Sequence, residues 1–145
     1  MPAKDVYVEL VQEDGFKTEA RAGKHPVLID QPGPFGGTDS GPTPLDYQLI
    51  ALGGCIAHIA RIVARQRNLT LQGLRIAVEG HLNTDRLLGK PAGERVGFSN
   101  IKVRVTLEAD WPREQKEAFL KEVEQRCPIS DNLVNSTLVT VELTG

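Results

Sequence analysis

Apolar and polar residues alternate in three short stretches at the start of the chain, which predicts a β-meander. Residues 6–11 alternate as a strand does, and Asp14-Gly15 is typical of a hairpin turn. Residues 16–22 predict the returning strand, and Gly23 a second turn. Residues 27–29 predict a short third strand that lies between two prolines.

Residues 32–44, PGPFGGTDSGPTP, are rich in turn-forming residues and lead into a helix. About thirty residues before this segment are too few for an independent domain, so we expect a structured loop near a functional site instead of a linker. Thr43 suits a helix N-cap, Pro44 the first helical position, and Asp46 the third, where a carboxylate completes a capping box. The helix is predicted to reach about residue 65. Its apolar positions recur every three or four residues: Leu45, Leu49, Leu52, Ile56, Ile59 and Val63.

The second half of the chain predicts two longer strands, a second helix and a last strand. Residues 74–82 and 101–108 alternate as half-exposed antiparallel strands do. A second helix is predicted after Pro112 and ends at Cys127-Pro128, and Ser130-Asp131 is expected to cap one further turn. Residues 138–143 predict the last strand. This order indicates an α+β fold with helices packed on antiparallel sheet, in one domain over residues 1–145.

Composition excludes several classes of protein. The 145 residues carry a formal net charge of -2, which argues against a general nucleic-acid-binding protein. We find no apolar run of about 18 residues, so no membrane span is expected. Asp5 and Glu9 interrupt the region where a signal peptide would be apolar, which makes the cytoplasm the expected location.

The candidate chemistry lies in two cysteines, Cys55 and Cys127. A structural disulfide is disfavoured in the cytoplasm, and two thiolates are too few for a four-cysteine zinc site. Buried, inert thiols are one interpretation of such a pair. Gly53-Gly54 directly before Cys55 indicates either close packing against the helix or access to the sulfur. His58 follows one turn later, as a surface polar group or as a metal ligand if a third ligand joined it.

The two cysteine segments resemble those of a known family. Residues 36–46 (GGTDSGPTPLD), running into 52–55 (LGGC), and residues 126–130 (RCPIS) are similar to the two motifs of the OsmC/Ohr family, the osmotically inducible and organic hydroperoxide resistance proteins. The resemblance covers nearly the whole chain. It implies an OsmC-like fold in an intertwined homodimer, with antiparallel sheets packed around two central helices and the site near the subunit interface.

The resemblance also assigns roles to residues. It implies that Cys55 is the peroxidatic thiol, Cys127 the resolving thiol and Arg21 the arginine that activates Cys55. The best-known peroxidases of the family carry a glutamate directly after the proline that matches Pro44. Here that position is leucine, and the acid follows one residue later as Asp46, which points to the broader OsmC-like branch of the family.

The implied reaction is the reduction of an organic hydroperoxide through a sulfenic acid and a Cys55–Cys127 disulfide. A dithiol, of lipoyl type by the resemblance, would restore both thiols, and no metal, flavin or haem takes part. Leu49, Leu52 and Ile56 either line the substrate pocket or belong to the core. Three alternatives remain open: a redox-sensing or small-ligand-binding protein without peroxidase turnover, a dimer with inert cysteines, and a zinc hydrolase.

Overall fold

A computed structural model of the chain describes residues 2–145. The chain folds into two compact units that divide between Gln48 and Leu49. From β1 to the helix that ends before Cys127, helices and antiparallel strands follow one another in the predicted order, and the architecture confirms the α+β fold class. The prediction of a single domain over residues 1–145 stays a prediction.

The first unit contains the predicted β-meander. Strands β1 (Glu9–Gln12), β2 (Thr18–Ala22) and β3 (His25–Ile29) form an antiparallel sheet in the order β1-β2-β3. The first strand begins three residues later than the alternation at residues 6–11 predicts. Its first residue, Glu9, pairs with Arg21, and β2 ends one residue later, so residues 6 and 7 have no strand opposite them.

The loop after β3 is built around one buried carboxylate. The Asp30 side chain, 1% exposed, accepts hydrogen bonds from the backbone N–H groups of Gln31, Thr38 and Ser40 and from the Thr38 hydroxyl. A side chain at Gly37 would collide with the Gln31 carbonyl and with Asp30 itself. The expected structured loop is therefore present, and the Thr38 hydroxyl, with the other donors, holds the pKa of Asp30 well below its usual range.

Replacing Asp30 by asparagine is expected to destabilise the protein in a pH-dependent way. An aspartate with a lowered pKa stabilises the fold fully above its unfolded pKa of about 3.9, and that contribution decreases as the pH falls from there through the lower folded pKa. The Asp30→Asn variant should therefore have a melting temperature several degrees below the parent at pH 7, with a smaller difference at pH 3. Thermal unfolding at both pH values measures this. Asp39→Asn is the matched control, because Asp39 is exposed in the same loop; an equal loss in both variants would contradict the role of Asp30.

Helix α1 (Pro44–Gln66) begins with the predicted capping box. The Thr43 hydroxyl accepts the Asp46 N–H at 3.2 Å, and the Asp46 carboxylate accepts the Thr43 N–H at 3.0 Å. The helix ends one residue beyond the predicted position.

Helix α1 is also long and apolar enough to cross a membrane. An 18-residue stretch of its 23 residues has a mean hydropathy of 1.5 and is 28% buried. Asp46, Arg61 and Arg65 interrupt the helix, so the sequence has no continuous apolar run of that length, and the expectation that nothing spans a membrane stays a prediction. A core helix meets the same criterion, and α1 contributes five buried residues to a core: Leu52, Ile56, Ala60, Val63 and Ala64.

The second unit packs two helices against a β-hairpin. Strands β4 (Gly73–His81) and β5 (Asn100–Glu108) pair antiparallel, with Leu74 opposite Leu107 and Ile76 opposite Val105. Helix α2 (Arg113–Arg126) adds Phe119 and Val123 to the core that α1 and the hairpin share. A short helix, α3 (Pro128–Val134), follows directly.

Two expectations for the end of the chain are wrong. The cap of α3 is Cys127 instead of Ser130-Asp131, because Pro128 occupies the first helical position and the residue before it has extended backbone. Residues 138–143 form no strand within the described residues 2–145, since no strand there pairs with them. Their apolar side chains are 77–95% exposed: Leu138, Val139, Val141 and Leu143.

Candidate thiol site

Cys55 lies in the middle of α1, on a half-buried position that packs against the core of the second unit. The two glycines before it have different environments. A methyl group at Gly53 would press on Val78 and Ile76 of β4, so this glycine allows close packing of helix on sheet. A methyl group at Gly54 would meet no atom within 4 Å. Close packing therefore explains Gly53, and Gly54 lies on an open surface of the helix.

Cys127 occupies the junction of α2 and α3. It ends α2, caps α3 and is 1% exposed, and its Sγ accepts a hydrogen bond from the Ser130 N–H at 3.4 Å. Pro128 fixes the direction of the chain here, because its ring sets φ at the first position of the new helix. The backbone fixes where the Cys127 side chain begins, and the Ser130 N–H bonds its sulfur in the reduced protein.

The structure brings the two thiols together. Burial raises the pKa of Cys55 above its ordinary value, and the adjacent Cys127 side chain raises it further through a hydrogen bond and its charge. The backbone N–H of Ile129, the second residue of α3, bonds the Cys55 sulfur and acts in the opposite direction. Both cysteines are free thiols. A pair of adjacent thiols can form a disulfide or share one negative charge.

Neighbouring polar residues do not act on the sulfurs. The Arg126 guanidinium donates to Glu122 at 3.0 Å and to Gln66 at 2.9 Å, so it joins α2 to the end of α1. Although Arg126 precedes Cys127 in the chain, its guanidinium is thus engaged by Glu122 and Gln66. His58 is exposed on α1, as the surface interpretation predicted. Among the residues that the structure describes, no three His, Cys, Asp or Glu side chains group as metal ligands do.

The other predicted site residues belong to different surroundings. Arg21 lies on β2, exposed, with the Glu19 carboxylate 3.9 Å away. Asp46 completes the capping box of α1. Both residues belong to the first compact unit and the cysteines to the second, so the roles of Arg21 and Asp46 at the thiols stay predictions.

The apolar residues predicted for a substrate pocket are mainly core residues. Leu52 and Ile56 are buried in the hydrophobic core of the second unit, and Leu49 is half-buried on α1. Leu52 and Ile56 are therefore core residues. Contact of Leu49, Leu52 or Ile56 with a substrate stays a prediction.

One part of the site was missed from the sequence, namely the first turn of α3. Its Ser130 N–H bonds the Cys127 sulfur, and its Ile129 N–H favours the charged form of Cys55. A cysteine directly before a proline that can start a helix indicates a capping thiol, because the first helical N–H groups need acceptors. That pattern was present at Cys127-Pro128.

Comparison with known proteins agrees with this arrangement. The family model described as OsmC-like protein matches residues 37–142, which include both cysteines. No curated protein shows a significant match to the chain.

Solved structures share the fold. An OsmC-like protein from Mycoplasma pneumoniae is 21% identical, with a TM-score of 0.80, and the match covers 92% of this chain and 89% of that one. An organic hydroperoxide resistance protein from Elizabethkingia anophelis, crystallised with bound thiocyanate, is 12% identical with a TM-score of 0.71, covering 93% and 91%. Another, from Legionella pneumophila, is 15% identical with a TM-score of 0.68, covering 92% and 91%. At such identities the structures show a common fold, and the match over residues 37–142 shows that the chain belongs to the OsmC family.

Proposed function

We propose that the chain is a cysteine-based peroxidase that reduces organic hydroperoxides. The observation that supports this most directly is the adjacent pair of free thiols, Cys55 half-buried and Cys127 buried, at the start of α3. Two of the structural relatives are described as organic hydroperoxide resistance proteins, which is consistent with the proposal. The function is defence against peroxides, in the cytoplasm, where thiols are kept reduced.

The reaction proceeds in two chemical steps. The Cys55 thiolate attacks the outer oxygen of the hydroperoxide, the O–O bond breaks, and Cys55 becomes a sulfenic acid while the leaving alkoxide takes a proton from water and departs as the alcohol. The Cys127 thiol then attacks the sulfenic sulfur, a disulfide forms and water leaves. A dithiol of lipoyl type reduces the disulfide by exchange and is itself oxidised.

The first step needs a cation near Cys55. Burial and Cys127 raise the pKa of Cys55, which keeps the sulfur protonated and slow to react. An approaching guanidinium would lower this pKa by stabilising the thiolate, and we assign that role to Arg21. Asp46 would orient Arg21, in addition to its place in the capping box.

Mass spectrometry after one equivalent of cumene hydroperoxide tests the proposal. The parent protein should gain a Cys55–Cys127 disulfide, and the Arg21→Ala variant should gain it at least about tenfold more slowly at neutral pH, because one pKa unit changes the thiolate fraction tenfold. Unmodified thiols in the parent would contradict the proposal. A disulfide that forms without catalytic turnover in the presence of a dithiol would favour redox sensing instead.

We further propose a homodimer with the thiol site near the subunit interface. Apolar side chains on α1, among them Ile50 and Ile62, are exposed, and Gly54 opens the same helix to close approach. The apolar residues at 138–143 are exposed as well. A second copy of the chain would cover both surfaces. Light scattering of the purified protein should give the mass of two chains, and the mass of one chain would contradict the dimer.

A further inference from the structure

The first turn of α3 begins at the thiol pair. Cys127 caps this helix, and its Sγ accepts the Ser130 N–H at 3.4 Å. The preceding N–H, of Ile129, reaches the Cys55 sulfur. The start of α3 therefore lies at the two cysteines that a disulfide would join, and the Ser130 N–H is bonded to one of their sulfurs.

The helix that these donors begin depends on its cap. It has seven residues, and helices shorter than about 12–15 residues are marginal in water without further contacts. Its remaining support comes from Ile129 and Leu133, which pack half-buried against the core that contains Cys127. Loss of the cap should therefore open the first turn.

We propose that formation of the Cys55–Cys127 disulfide uncaps α3, so that its first turn opens when the pair is oxidised and closes when it is reduced. In the disulfide the two sulfurs lie at about 2.05 Å, and each has exchanged its proton for a bond to the other. The Cys127 sulfur must turn toward Cys55 and away from the Ser130 N–H.

The opening has a direct use in the proposed reaction cycle. A dithiol has to reach one sulfur of the disulfide, and the rate of exchange depends on that access. Cys127, the cap of α3, is 1% exposed. An opened first turn uncovers it. This use rests on the proposed function, whereas the uncapping itself requires only that the disulfide forms.

Hydrogen exchange of the full-length protein, followed by mass spectrometry, tests the uncapping. Diamide forms the disulfide without any peroxidase activity: its N=N bond takes up the two protons and two electrons that the thiols lose. Amides of residues 129–134 should exchange about five-fold faster in the oxidised protein, the factor that loss of a typical helix cap implies. Amides of β4 and β5 should not change.

Two serine variants serve as matched controls. Cys55→Ser keeps the Cys127 cap and cannot form the intramolecular disulfide, so diamide should leave its α3 exchange unchanged. Cys127→Ser substitutes a hydroxyl, which is a strong cap, and should protect α3 at least as well as the reduced parent does, with and without diamide.

Three outcomes separate the proposals. A confirmed disulfide with unchanged exchange in α3 would overturn the uncapping, and so would a failure of diamide to link Cys55 to Cys127. If α3 opens with diamide while the protein does not consume hydroperoxide, the uncapping stands and the peroxidase proposal fails.

Discussion

A Cys55→Ser variant is expected to lose hydroperoxide consumption almost entirely. The attack on the O–O bond requires a thiolate, and a serine hydroxyl has neither the acidity nor the nucleophilicity to replace it. Because the nucleophile of a covalent mechanism carries the whole first step, the rate with cumene hydroperoxide and a dithiol should fall by about a thousand-fold or more. The steady-state rate of peroxide loss measures this.

The Cys127→Ser variant is the matched control for that measurement. Cys55 keeps its place on α1, so the first equivalent of hydroperoxide should still be consumed, leaving a sulfenic acid that a dimedone-type reagent traps. Turnover should then be impaired because the resolving thiol is gone. Parent-like turnover of the Cys55 variant would contradict the peroxidase proposal. Parent-like turnover of both variants would show that hydroperoxide consumption requires neither cysteine.

Replacing Phe119 by alanine is expected to give the largest loss of stability. Phe119 is 5% exposed and packs edge-to-face on Trp111, with ring centroids 5.0 Å apart. Removing a buried phenyl ring costs the transfer free energy of its atoms and leaves a cavity, together about 3–5 kcal/mol. That is a large part of the total stability of a typical domain. Urea unfolding, followed by the fluorescence of the single tryptophan, measures the change in the free energy of unfolding.

Phe35→Ala is the matched control, because it makes the same substitution at the surface. Phe35 is 72% exposed, and surface substitutions usually change stability by about 0.5 kcal/mol or less. Both variants must be measured at the same protein concentration, since association adds to apparent stability. Equal effects of the two substitutions would mean that Phe119 does not anchor the core.

Local patterns in the sequence predicted most of the fold because the responsible interactions are local. The capping box at Thr43 and Asp46 joins residues three apart, and the end of α2 at Cys127 follows from the proline after it. Residues 138–143 show where this fails. The pattern of apolar residues there reflects a local preference for extended backbone. A strand also needs a second strand to pair with, and the local pattern does not show whether one is present.

The candidate site was predictable in its residues and less so in its electrostatics. The motifs identified Cys55 and Cys127, and the fold brings them together. Their sequence neighbours were a poor guide, because Arg126 bonds Glu122 one turn earlier on α2 and Gln66 of α1, and the second contact exists only where α2 packs against α1. The effect of burial on the Cys55 pKa likewise depends on packing from distant parts of the chain.

The exposed segment at residues 138–143 has a consequence for refolding of the purified protein. It combines apolar, β-forming residues with a single charge, Glu142, and it contains no proline. Segments of this composition pair readily with one another and start aggregation when they are left uncovered. During refolding from denaturant, aggregation therefore competes with any contact that covers these residues, and the yield of native protein depends on which of the two forms first.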